Sequence, residues 1–185
     1  MTNLHKWRYG GLALSAVFLL AVPACSTAPK STAGKAEINI KADAALAKAK
    51  YNDPTLAGLL NRSAGVAVFP SVGKGAIGIG GAYGKGVLYQ GGRQVGYCDM
   101  TQASIGFALG GQAYTEIIAF ESPANVAKFK EGNLRFDAQA TAVALKSGVG
   151  ANAKFTDGVA VFTMDEAGLM YEASIGGQQF SYQAH

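Results

Sequence analysis

The residues able to do covalent or acid–base chemistry are few. His5 and His185 are the only histidines in 185 residues, and Cys25 and Cys98 the only cysteines. A Ser-His-Asp triad, a Cys-His pair and a histidine-based zinc site each need an imidazole inside the fold. Between His5 and His185 the chain supplies none. No spacing of acids assembles a general acid–base pair, so the chain is expected to be no enzyme and to need no cofactor or metal. Gly73-Lys74-Gly75-Ala76-Ile77-Gly78 satisfies G-x-G-x-x-G by letter, but that fingerprint needs a following helix whose N-terminus meets the pyrophosphate. Here period-2 alternation continues straight through. Gly84-Lys85 lacks the earlier glycine and the following Ser or Thr of a phosphate loop, and neither H-R-D nor D-F-G occurs.

The chemistry that remains is lipid attachment. Lys6 and Arg8 precede an apolar run from Leu12 to Val22. The run is long enough for a secretory signal but short of the roughly 18–20 residues of a spanning helix. It ends in Val22-Pro23-Ala24-Cys25, which resembles the lipobox of bacterial lipoproteins, with Pro23 an unusual occupant of the variable position. Residues 1–24 are therefore expected to be removed and Cys25 to carry a diacylglycerol, usually with a third acyl chain such as palmitate. Two or three chains hold a protein durably where one does not. Ser26 follows the cysteine where an inner-membrane retention signal would place Asp. The expected address is the bacterial envelope, on the periplasmic face of the outer membrane.

Cys98 then has no disulfide partner, and a lone thiol in an oxidising compartment is safest buried as a small hydrophobe. The formal charge is +4, of which Lys6 and Arg8 supply two units. The remaining +2 is too mild for a nucleic-acid partner. An apolar fraction of 49% is enough for a core.

Positioning falls to one domain. Residues 25–36 are small and polar and read as the acylated cysteine and a flexible tether; residues 37–185 read as the domain. Residues 41–50 read as helix. Asp53-Pro54 and Ser122-Pro123 are N-cap and first-turn pairs for helices reaching about Asn61 and Lys130. The rest reads as strand with an unusual texture. From Ala76 to Leu88 one face carries Ile77, Ile79, Tyr83, Lys85 and Val87, and the other is nearly bare glycine and alanine. Ser104–Gly110 repeats the pattern. A bare strand face means close approach, by a tightly curved sheet, a helix or a ligand.

Gly91-Gly92, Asp157-Gly158 and Gly176-Gly177 read as hairpin turns. The first would set Leu88 opposite Val95 and Gly86 opposite Tyr97, the last Tyr171 opposite Tyr182. Gly65-Val66-Ala67-Val68-Phe69 echoes in Gly158-Val159-Ala160-Val161-Phe162, through related β-layers or by chance among β-formers. The expected fold is α+β: a strongly twisted or barrel-like antiparallel sheet with a few short helices packed against it.

Gly65 to Gly92 (GVAVFPSVGKGAIGIGGAYGKGVLYQGG) resembles the opening of the SYLF domain in its bacterial form. SIGFALGGQAYTEIIAF from Ser104, FKEGN from Phe129, DGVAVF from Asp157 and GLMYEASIGGQQF from Gly168 fit the same family. The resemblance spans about Ala45 to Tyr182. It implies a lipid-binding module: eukaryotic members bind phosphoinositides, yeast members also bind actin, and bacterial members are commonly lipoproteins. It implies no catalytic residues. No actin is expected in a periplasm, and phosphoinositides are scarce in bacterial envelopes, which leaves anionic phospholipid headgroups.

Such binding needs cations. Lys41 and Lys48 are two helical turns apart with Lys50 adjacent, and Lys74, Lys85 and Arg93 form a second candidate set; any of them could equally be merely solvated. Ile40, Ala44, Ala47 and Tyr51 could dock on the core or dip into a membrane interface. The expected function is a membrane-anchored phospholipid-binding domain. The alternative is an envelope protein that binds another protein, with the acyl anchor as its only membrane contact.

Overall fold

The computed structural model describes residues 27–77, 79–104, 112–136, 141–165 and 172–185. The signal segment, Cys25, most of the Ser104–Gly110 alternation and Tyr171 lie outside them. In chain order the elements are α1 (Thr32–Asn52), α2 (Leu56–Arg62), β1 (Gly65–Ile77), β2 (Ile79–Gln90), β3 (Arg93–Ser104), β4 (Gln112–Phe120), α3 (Pro123–Lys130), β5 (Thr141–Ala144), α4 (Val149–Asn152), β6 (Val159–Asp165), β7 (Glu172–Ser174) and β8 (Gln178–Ala184).

The strands form one sheet in the order β7-β5-β6-β4-β1-β2-β3-β8. Every pairing is antiparallel except β5 with β6. The sheet is open, with β7 and β8 at opposite edges. Yet only residues 175–177 join those strands. Laid flat, eight strands would span roughly 34 Å, whereas the link reaches at most about 14 Å. The sheet must therefore curl until its edges approach. A side-chain bond crosses the curl: Gln178 Nε2 on β8 donates to Glu116 Oε2 on β4 at 2.9 Å, although three strands separate β4 from β8 in the sheet. The chain forms the expected α+β fold, with a mostly antiparallel sheet that curls without closing into a barrel.

Each face of the sheet has its own core. The concave face gathers Phe69, Leu88, Met100, Ile118 and Phe180 around α3, which inserts Val126 and Phe129. The convex face carries Val68, Val87, Tyr97, Ile117 and Phe162 under α1 and α2. From Ala82 to Gly86 the bare strand face is on the concave side. A Cβ on Gly86 would lie 2.5 Å from the Val68 carbonyl oxygen and 2.7 Å from Phe69 Cδ1, and one on Gly84 would lie 2.8 Å from Val72 Cγ2. At these positions close packing within the bent sheet is what requires glycine.

Three expectations change in detail. Gly91 and Gly92 adopt φ of 56° and 73°, the two-residue hairpin turn anticipated, and Gln90 pairs with Arg93. An irregularity at Leu88/Tyr89 then sets Leu88 opposite Gly96 and Gly86 opposite Cys98. That one-residue slip sends Tyr97 to the convex face and buries Cys98 on the concave one. Gly176-Gly177 is a turn, with Gly177 at φ 77°, but its flanking strands pair with β5 and β3 rather than with each other. The echoed segments lie in one sheet on either side of β4, one residue out of step: Ile118 faces Ala67 on one side and Val161 on the other. The offset turns Val66 and Val68 outward but Val159 and Val161 inward, so the echo is not a structural repeat.

The tether is shorter than expected. Ser31 caps α1, accepting from Gly34 N at 3.0 Å, so helix begins at Thr32. Before it Ala28 is buried, and its N–H donates to Gln183 Oε1 at 3.1 Å. The second helix starts at Leu56 rather than just after Asp53. Ser122 and Pro123 open α3 as expected.

Candidate functional site

Helix α1 crosses the strands on the convex face. Lys35 Nζ stands 5.7 Å from the Tyr97 ring centre on β3. Asp43 Oδ1 accepts from Tyr89 Oη on β2 at 2.7 Å, and Asn52 Nδ2 reaches Met164 Sδ on β6 at 3.9 Å. Burial first, and the Asp43 contact second, push the Tyr89 phenol well above its ordinary range. The inward side of α1 is Ala42, Ala45 and Ala49. Small residues let the helix lie close, and they fix which side faces out.

The outward side removes one role the sequence left open for its residues, docking on the core. Ile40, Ala44, Ala47 and Tyr51 are all exposed, Ile40 at 68% and Tyr51 at 86% of full accessibility. At 3.6 residues per turn, positions i, i+4, i+7 and i+11 form one stripe. The same geometry puts Lys41 and Lys48 along one flank and Lys50 along the other, and all three are exposed. Lys41 Nζ also pairs with Glu37 Oε1 at 2.6 Å, so Lys48 and Lys50 carry more of the unbalanced charge. The stripe and its lysines form the candidate surface.

The second set of cations is not brought together. Lys74 lies opposite Ala82 on β2 while Arg93 lies opposite Gln90; eight residues of strand separate those positions, roughly 26 Å. Half-buried Lys85 donates to the Thr27 carbonyl at 3.1 Å, pinning the segment before α1. Arg93 is exposed beside the β2–β3 turn. Gly91 and Gly92 of that turn line a cavity of about 670 Å³ together with Lys50 and Asp43. Cys25 lies outside the described residues, two positions before Thr27.

Other buried polar groups hold the fold. Fully buried Asp53 accepts from Thr55 N at 3.0 Å, Thr55 Oγ1 at 2.6 Å, Gly148 N at 3.2 Å and Gly150 N at 2.5 Å. Burial raises its pKa, but these donors outweigh burial and hold the carboxyl below its usual range. The carboxylate so ties the end of α1 to α2 and α4. Cys98 is fully buried, and burial, then neighbouring Asp99, raises its thiol well above the ordinary value. On the concave face, burial, then Glu116, raises the Tyr114 phenol.

Sequence reasoning passed over Arg135 and Lys154. Both are exposed, and both border a cavity of about 400 Å³ beside β6. No local motif marks them, because they come together only through the path of the loops. No described helix is long and apolar enough to cross a membrane.

No protein-family profile matches the chain. Over 146 residues, 77% of its length, it is 30% identical to Beta cell expansion factor A of Aeromonas veronii. It spans 55% of the length of that relative.

Proposed function

We propose that the chain is a bacterial SYLF-type lipoprotein whose folded domain lies against a phospholipid bilayer, held by an acylated Cys25 and engaging anionic headgroups without catalysis. The observation that carries this reading is the exposed stripe Ile40–Ala44–Ala47–Tyr51 flanked by Lys41 and Lys48 on one side and Lys50 on the other. An exposed apolar stripe flanked by lysines suits a helix lying in the interface plane. Each such lysine near an anionic surface contributes about 1 kcal/mol, screened within a Debye length. The short leash supports the same orientation. Two residue steps from Cys25 to Thr27 reach about 7 Å, and Ala28 is already seated on the sheet. An acyl anchor there would hold α1 close to the membrane. The site of action would be the periplasmic face of the outer membrane.

The test is vesicle flotation of the mature chain carrying Cys25→Ser, which removes the acyl anchor. The reading predicts flotation with phosphatidylglycerol or cardiolipin vesicles at low salt, weakened at high salt, and none with phosphatidylcholine. Salt-insensitive flotation on all vesicles would assign binding to apolar insertion alone and remove the headgroup contribution. No flotation would overturn intrinsic membrane recognition, leaving the anchor as the sole membrane contact and an envelope protein as the partner of the α1 stripe.

A further inference from the structure

The cavity bordered by Arg135 and Lys154 lies beside the first residues of β6, and no residue of α1 lines it. Strand β5 is short and pairs with β6 only at Val143–Phe162 and Ala144–Thr163. Residues of the loops at 134–136 and 153–157 border, with the first residues of β6, a cavity of about 400 Å³. Its walls are apolar: Val159 and Val161 of β6, Ile175, and Leu134 and Phe136 from the first loop. Val143, 49% exposed, adds apolar surface from β5.

The charged groups of the lining are cationic on balance, and Thr156 adds a neutral hydroxyl. Arg135 and Lys154 are set against Asp157, all three exposed. The guanidinium of Arg135 is oriented by donating Nη1 to the carbonyls of Gly132 and Leu134, which leaves its other nitrogens as donors. An apolar cavity with a few charged groups is the usual form of a small-molecule site, and this volume is at the lower end of the range for such sites. It suits one hydrocarbon chain better than the two of an intact phospholipid. Apolar walls with a net positive border complement a chain bearing an anionic head.

We infer that this cavity binds a single acyl chain with an anionic head, the chain lying over Val159, Val161 and Ile175 and the head meeting Arg135 and Lys154. A free fatty acid and an anionic lysophospholipid share this chemistry. The inference deepens the lipid-binding reading and rests on it, but its site is separate from the α1 stripe, so the two can fail separately.

The test is displacement of a fluorescent fatty acid from the Cys25→Ser mature chain. The competitors are palmitate, lysophosphatidylglycerol, lysophosphatidylcholine and glycerol phosphate. Palmitate or lysophosphatidylglycerol should displace the probe, whichever is stronger naming the source. Lysophosphatidylcholine should be weaker, and glycerol phosphate without effect. Lys154→Glu should weaken palmitate by about 3- to 10-fold, and Val143→Asp should do at least as much. Both residues are exposed, so unchanged thermal melting is expected to accompany the loss. Lack of binding by wild type, or unchanged binding by both folded variants, would overturn the inference. Flotation of the same proteins separates the two readings. Flotation without palmitate binding refutes the cavity alone. Palmitate binding that both variants weaken, without flotation, supports the cavity and refutes the membrane face.

Discussion

Replacing Ile40 and Tyr51 together by serine should detach the unacylated domain from anionic vesicles without unfolding it. Ile40 is 68% and Tyr51 86% exposed, and the buried side of α1 is formed by Ala42, Ala45 and Ala49. The double change removes no core contact, and surface changes of this kind usually stay within about 0.5 kcal/mol of wild-type stability. Full burial of a large apolar side chain gains about 1.5–3 kcal/mol. A bilayer meeting the helix from one side covers about half of that surface, so each residue is worth about 1 kcal/mol and the pair about 2 kcal/mol. The partition coefficient should fall roughly 30-fold. The assay is co-sedimentation of Cys25→Ser protein with phosphatidylglycerol-containing vesicles over a lipid titration, with thermal melting as control. A fall smaller than about threefold, with melting unchanged, would refute the assignment of this stripe to the membrane.

Four further outcomes follow from the packing. Asp53→Ala should destabilise by about 2–4 kcal/mol, because the donors of Thr55, Gly148 and Gly150 lose a buried acceptor; chemical denaturation reads this. Since folding lowers the Asp53 pKa, its contribution is complete above the unfolded value and lost as pH falls through the folded one. Asp53→Asn should therefore flatten the acid limb of the stability profile. Gly86→Ala should cost at least about 2 kcal/mol, because its methyl would sit 2.5 Å from the Val68 carbonyl oxygen. Cys98, buried with a raised thiol pKa, should resist a thiol-reactive probe in the native protein and react at once on denaturation.

Local chemistry made part of this architecture legible. Ser122-Pro123 specified α3, and Gly91-Gly92 specified its hairpin, because cap and turn geometries need only neighbouring residues. Alternating glycine announced a close approach to the strand, but whether by sheet curvature, a helix or a ligand was left to the fold. What the sequence hid depends on partners distant along the chain. The slip at Leu88/Tyr89 inverts the facing of Tyr97 and Cys98, and nothing near the turn announces it. Residues 32–36 look like tether in composition but are held as helix by the Ser31 cap. The Gly65 and Gly158 echoes share letters but face opposite cores, since strand register is set by pairing to β4. The apolar positions of α1 were visible as a stripe, but whether they faced in or out depended on Ala42, Ala45 and Ala49 being the closer fit. Arg135 and Lys154 were out of reach for the same reason: only the fold puts them at one cavity.

The most direct measurement is the depth of α1 in a membrane, read from nitroxide spin labels. Ile40→Cys and Tyr51→Cys would be labelled singly in a Cys25→Ser background, with buried Cys98 left in place. Ala124→Cys, exposed on α3 across the sheet, serves as the reference. On phosphatidylglycerol-containing vesicles, labels at positions 40 and 51 should become accessible to oxygen and shielded from a water-soluble nickel chelate, while the label at 124 remains in water. Labels at 40 and 51 that stay as open to the chelate as the one at 124 would contradict the claim that this face meets the bilayer.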